Sequence, residues 1–286
     1  MPIAVPKQSL QEWLTQQYII FRGRKINLTV DAWLDGPIGC SSTVSEQFLH
    51  AANNINTNCK AEIKNRGLIP DFESLNLSKK NRSKLSDTIV HFYEHTEQYS
   101  ISFTLKWNPI FKVFGKLIVF LFSSRLNQLH IPTQNITNQI PINHAVVPIN
   151  DKTSNKHQFT LWKRTIMEGN KVLYNGLYTT CTIPTGKTCV KAIFPLPYGN
   201  ATTILFPKVL DDGSLVLEAA GNTFGYPGFY FLLQDNKGNF WSRHLPSFKD
   251  TLRIFSCNDL LKAEQQIRLW GINVLKFTYE MRNKFP

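Results

Sequence analysis

The chain lacks an apolar run long enough to cross a bilayer as a helix. About 18–20 residues are needed, and the best candidate, residues 110–122, is interrupted by Lys112 and Lys116. No membrane-spanning helix is expected. Cysteine is scarce, with five in 286 residues, too few and odd in number for a disulfide framework. The start MPIAVPKQSLQEW has neither a basic nor an apolar leader region, so reduced thiols and a cytoplasmic location are expected. Cys181 and Cys189 nonetheless flank the turn-forming Ile183-Pro184-Thr185-Gly186-Lys187, which would set them opposite each other in a hairpin. Charged residues make up only 18% against 42% hydrophobic, which argues against wholesale disorder. A P-loop, a dinucleotide-type glycine pattern, a nucleophile elbow and a CxxC pair are all missing, so the chemistries they mark have no anchor here. Ser, His and Asp occur without a local motif to join them, and no catalytic triad is expected.

What is present begins with a net charge of +12, which favours anionic partners. The charge is spread: residues 1–150 carry 15 Lys+Arg against 10 Asp+Glu, and residues 151–286 carry 17 against 10. The densest run, Lys79, Lys80, Arg82 and Lys84, has no aromatic platform or recognition motif beside it. It reads as a solvated helix start or loop, and nucleic acid is not the expected partner.

The texture changes near residue 135. Before it, helical periodicity predicts helices over Ser9–Phe21 (a capping box, with Glu12 three residues after Ser9), Val44–Lys64 and Ser83–Glu97. Tyr99–Trp107 alternates apolar and polar, the period of a half-buried strand. Residues 136–156, rich in Asn, Thr, Gln and Pro, read as a linker with one short extended piece at Ala145–Ile149. From residue 157 onward, alternating runs separated by turn signals every 8–12 residues predict an antiparallel sandwich or barrel. The expected organisation is a mainly helical region at 1–135, a linker at 136–156 and an antiparallel β domain at 157–286. The fold class is α+β, a helical N-terminal region packed on a large antiparallel sheet that forms a barrel, half-barrel or curved open sheet.

Two stretches carry candidate chemistry. His91-Phe92-Tyr93-Glu94-His95 matches H-x-x-E-H. Histidines four apart share one helix face and can hold zinc, with Glu94 as general base on the bound water. That requires a further ligand downstream, and the pattern is short enough to arise by chance, so a structural role for the two histidines is the first expectation. Residues 107–126 are apolar nearly all round as a helix, with Lys112, Lys116 and Arg125 as basic breaks. This suits a core helix, or an interfacial helix on anionic lipid. In the β half, Tyr230 is one of many aromatics at alternate positions that would fill a core or line an apolar pocket. Arg164, Arg243, Arg253 and Arg268 fall inside strand candidates. Outward, solvated positions are expected for them, with a ligand carboxylate or phosphate as the alternative for one.

Tyr93-Glu94-His95-Thr96, Trp107, Phe114-Gly115, Phe122-Ser123, Phe194-Pro195-Leu196-Pro197, Phe224-Gly225 and Leu269-Trp270-Gly271 together resemble an uncharacterised bacterial protein family, over residues 91–280. The resemblance implies no activity. It does not include His91, which weakens the zinc reading.

The expected function is a non-catalytic binding protein for an apolar or lipid-like ligand, with an anionic membrane surface as a second partner and no cofactor. The pocket candidates are Tyr93, Glu94, His95, Trp107, Arg125 and Tyr230. The alternative is a zinc hydrolase with His91 and His95 as ligands and Glu94 as base.

Overall fold

A computed structural model describes residues 10–39, 66–111, 131–151, 154–167, 171–258 and 260–285. The second predicted helix, Val44–Lys64, and most of the apolar-basic segment, 112–130, fall outside them.

Thirteen strands form one sheet: β1 (Arg24–Ile26), β2 (Tyr99–Trp107), β3 (Ile136–Asn150), β4 (His157–Ile166), β5 (Lys171–Thr182), β6 (Thr188–Leu196), β7 (Gly199–Val209), β8 (Leu215–Ala219), β9 (Gly228–Gln234), β10 (Phe240–His244), β11 (Phe248–Cys257), β12 (Leu260–Leu269) and β13 (Ile272–Asn283). Ten of them, in the order β2-β3-β4-β5-β6-β7-β8-β11-β12-β13, pair antiparallel, each with its sequence neighbour except β8 with β11, and close when β13 pairs with β2. The result is an up-and-down barrel. β9, β10 and β1 branch from it: the first part of β7 (Gly199–Ile204) pairs with β9, and the last part (Phe206–Val209) with β8.

The alternation read in the sequence supplies the wall. Along β2, Tyr99, Ile101, Phe103, Leu105 and Trp107 are buried, with Ser100 and Lys106 exposed between them. On the outside of β12 and β13, Lys262 pairs with Glu280 at 3.3 Å and Lys276 with Glu264 at 3.1 Å. Charges on these strands face outward and apolar rows face in, the reverse of the lipid-facing wall of a membrane barrel. Three hairpins turn by one device. Gly186, Gly213 and Gly238 each sit at φ near +77° (78°, 78° and 76°), a left-handed backbone that favours glycine. Each donates its N–H to the carbonyl three residues back.

The expected linker is the strand β3. Residues 136–142 pair with β2, and residues 142–150 pair with β4. One sheet therefore takes strands from both sides of the expected boundary. Two features hid this strand. Its outer positions are polar, and it contains two prolines, Pro141 and Pro148. Pro148 lies where β3 no longer pairs with β2, so its missing N–H costs no ladder bond on that side. Nearby, the Val146 N–H is taken by the Glu97 carboxylate at 2.7 Å.

Among the described residues, three α-helices precede the barrel: α1 (Leu10–Arg22), α2 (Lys79–Lys84) and α3 (Asp87–Glu94). α1 packs on β9 and β10. Residues 66–98, containing α2 and α3, cross one mouth of the barrel. The Ser86 N–H bonds the Gly213 carbonyl in the β7–β8 turn. At the far side of the mouth, the His91 ring meets the Tyr99 hydroxyl at 2.9 Å. Ile89, Val90, Phe92 and Tyr93 of α3 are buried against the barrel core.

Candidate functional site

Ten strands enclose more width than wall side chains readily fill; at about eight strands they just meet. Here a cavity of about 110 Å³ remains inside, beneath the cap. Leu68, Ile69, Phe92 and Tyr93 close it from the cap side, while Val190, Ala192, Leu205 and Leu217 form an apolar wall from β6, β7 and β8.

The facing strands bring polar groups into the same lumen. Arg164 on β4 is 7% exposed. Its Nη2 donates to the Tyr178 hydroxyl at 2.9 Å, and its guanidinium lies 3.9 Å from the Trp162 ring centroid, within cation–π range. On β11, Asp250 accepts from Gln265 Nε2 at 2.9 and 3.1 Å. The Tyr279 hydroxyl donates to Gln265 Oε1 at 3.4 Å. Burial pushes the Asp250 carboxyl up to about 7, against the hydrogen bond from Gln265. Burial also raises the Tyr93 and Tyr279 phenols, which stay neutral.

The predicted pocket residues do not gather in one place. Tyr93 lines the cavity. Glu94 instead accepts the Phe72 N–H at 3.0 Å and so ties the cap together. The His95 ring lies 4.6 Å from that of His91, and its Nδ1 is buried without a hydrogen-bond partner among the described residues. Trp107 lies at the opposite end of the barrel, donating Nε1–H to the Pro132 carbonyl at 2.8 Å. Arg125 is outside the described residues. Tyr230 is fully buried, but outside the barrel in a cluster with Ile26, Trp33 and Leu34. Its hydroxyl donates to the Tyr226 carbonyl at 2.6 Å.

The zinc arrangement is not supported. No group of three or more His, Cys, Asp or Glu side chains able to hold a metal occurs among the described residues. Desolvation lowers the His91 ring, followed by the influence of His95, and Glu94 is engaged with backbone. Cys181 does stand opposite Cys189 on β5 and β6; both thiols are free, and burial raises them to about 11 and about 12.

Arg164, Tyr178, Asp250, Gln265 and Tyr279 were the residues to find. Their signal is phase. Asp250 shares a strand face with Leu252 and Ile254, and Gln265 with Leu261 and Ala263, so each is a polar residue in the apolar register. Of the four arginines expected inside β-half strands, Arg253 pairs with Asp212, Arg243 donates to the Arg22 carbonyl and Arg268 donates to Gln266. Arg164 is the one that lines the cavity.

No protein-family model matches the chain, and no solved structure matches it. The chain is similar to the uncharacterized membrane protein YndJ of Bacillus subtilis (strain 168), 28% identical over 166 residues. The match takes in 57% of this chain and 28% of that protein, so the chain spans well under half of its relative's length. This agrees with the resemblance to uncharacterised bacterial proteins. No helix among the described residues is long and apolar enough to cross a membrane.

Proposed function

We propose that the protein is a non-catalytic binding protein that holds a small apolar molecule inside its barrel. The cavity of about 110 Å³ with its apolar wall carries this reading. Its size narrows the lipid-like expectation. An apolar cavity of roughly 150 Å³ accommodates benzene, so this one suits a single ring or a short chain, and a long acyl chain would need the cap to move. The test is titration with toluene, followed by methyl NMR at Ala192 and Ala263, both on the lining. Saturable shifts at both methyls are expected in the wild type, and none at the remaining Ala263 methyl in Ala192→Phe, which fills the space. Unmoved methyls in the wild type would sink the proposal.

A second reading, attachment to an anionic membrane surface, is favoured by α1. Gln16, Ile19 and Ile20 are buried, while Leu14, Tyr18 and Phe21 leave an apolar stripe outward, with Phe21 83% exposed. Arg22, Arg24 and Lys25 follow on the surface. Aromatic anchors beside basic residues are what an interfacial helix presents, and the similar protein's name places it in a membrane. Co-sedimentation with phosphatidylcholine vesicles containing phosphatidylglycerol should be lost in Phe21→Asp and in vesicles of phosphatidylcholine alone. Equal sedimentation in all cases would remove this reading.

A further inference from the structure

The β12–β13 hairpin turns on a residue that backbone preference does not place there. Trp270 and Gly271 form its two-residue loop, and both have left-handed backbone, with φ of 51° and 80°. Such a loop favours Asn-Gly or Gly-Gly, and a bulky side chain in that conformation is strained. The indole does not offset the strain by packing. Trp270 is 69% exposed, and Ile272 beside it is 46% exposed. The Trp270 N–H bonds the Ser247 carbonyl at 2.9 Å, a bond that any residue other than proline would make.

The hairpin stands at the end of the barrel away from the cap, the end where β2 finishes in Trp107 opposite Leu275 of β13. α1 reaches the same end. Its Gln16 donates to the Pro197 carbonyl in the β6–β7 turn at 3.4 Å, and its Ile19 and Ile20 pack with Phe229 and Leu245. Residues 245–248 therefore hold α1 on one side and the Trp270 backbone on the other. The segments that meet here, 105–111, 243–249 and 266–276, carry Lys106, Arg243, Lys249, Arg268 and Lys276 and no Asp or Glu. Asp250, next along β11, lines the cavity inside. The cap is different, since residues 66–98 hold five Asp+Glu against five Lys+Arg. Cations and rings alternate at the far end: the Arg243 guanidinium lies 6.0 Å from the Tyr18 ring centroid.

We propose that the Trp270 hairpin is a second anchor for an anionic membrane, and that with α1 it stands the barrel on the lipid with the cap turned to water. This rests on the membrane attachment read from α1 above and adds to it a binding residue and an orientation. Tryptophan settles at the membrane–water interface, and the surrounding bases meet anionic head groups. A protein partner is better served by a continuous apolar patch than by single rings set among cations.

Trp270→Asn gives the turn the residue it prefers and removes the ring, so stability and membrane binding should move in opposite directions. The melting temperature is expected to rise by a few degrees. Partition into phosphatidylcholine vesicles containing phosphatidylglycerol should weaken about tenfold, the worth of one aromatic ring leaving water. Trp270→Phe should keep most of the binding without the gain in stability. At saturating vesicles, lipid brominated on its acyl chains should quench a smaller share of the tryptophan fluorescence of Trp270→Phe than of the wild type. Undiminished partition of Trp270→Asn, while Phe21→Asp no longer binds, would overturn the second anchor and leave α1 to attach alone. Equal quenching in the wild type and Trp270→Phe would overturn it too. If the wild type does not sediment with the anionic vesicles, the membrane reading and this inference fall together.

Discussion

Asp250 and His244 show how far single residues depart from their ordinary chemistry here, and in opposite directions. Burial holds the Asp250 carboxyl at about 7. The folded protein then keeps a proton that the unfolded chain loses near pH 4, and stability falls as pH rises from about 4 to about 7. Over that range the loss is on the order of 4 kcal/mol. His244, whose Nε2 is buried without a partner among the described residues, is lowered by desolvation to about 4, with Arg243 and Lys249 adding to the effect. The unfolded chain protonates its histidine near 6.5, so this group makes stability rise with pH between about 4 and 6.5. The two slopes oppose each other over that interval. Asp250→Asn should therefore be more stable than the wild type at pH 8, by a few kcal/mol, and should expose a melting temperature that climbs between pH 4.5 and 6.5. His244→Gln should show the opposite trend. Parallel melting curves of all three proteins across this range would contradict the assignment. Neither environment was legible in the sequence. Asp250 betrays itself only by its phase along β11, and His244 owes its burial to packing against Tyr230, with ring centroids 4.7 Å apart, and to Gly228, whose absent side chain leaves room for the His244 ring.

At the scale of elements, the strands from β4 onward were readable because each side chain alternates between water and a single core, and the turn glycines punctuate them. β2 was readable over its full length, Tyr99–Trp107, for the same reason. β3 was not, since its polar outer face and prolines imitate a connection. The cap was only half readable. The buried face of α3 shows in its periodicity, but its docking depends on close backbone approach, which no pattern announces. At Gly67 an added Cβ would come within 2.2 Å of the Tyr93 carbonyl oxygen and 2.3 Å of Glu94 backbone atoms. Gly67→Ala should push the segment around Gly67 off the end of α3, at a cost of about 1–3 kcal/mol, typical of overpacking. Hydrogen exchange should show it as faster exchange of the Ile69 amide, which bonds the Tyr93 carbonyl, with β12 and β13 unaffected. Slowed or unchanged exchange at Ile69 would mean that the cap is held elsewhere.

For the whole molecule the decisive event is closure. β2 and β13 pair along nine positions, from Tyr99↔Asn283 to Trp107↔Leu275, although most of the barrel's sequence lies between them. Such long-range pairing is slow to form, and before it forms both β2 and β13 present open edges able to pair with other chains. A chain ending before Ile272 should fail to give a dispersed NMR spectrum and should aggregate; a well-folded monomer would show that the barrel stands open. The cavity belongs to this scale as well. None of the local segments contains it, which is why its lining could not be collected from motifs. The order of synthesis follows from the same arrangement. The cap leaves the ribosome before any wall strand, and the strand that seals the barrel leaves it after the other nine. The interior thus becomes a compartment only after β13 has emerged. A guest could be enclosed as the wall shuts rather than pass through it afterwards, so the protein's contents would record what surrounded it while it was being made.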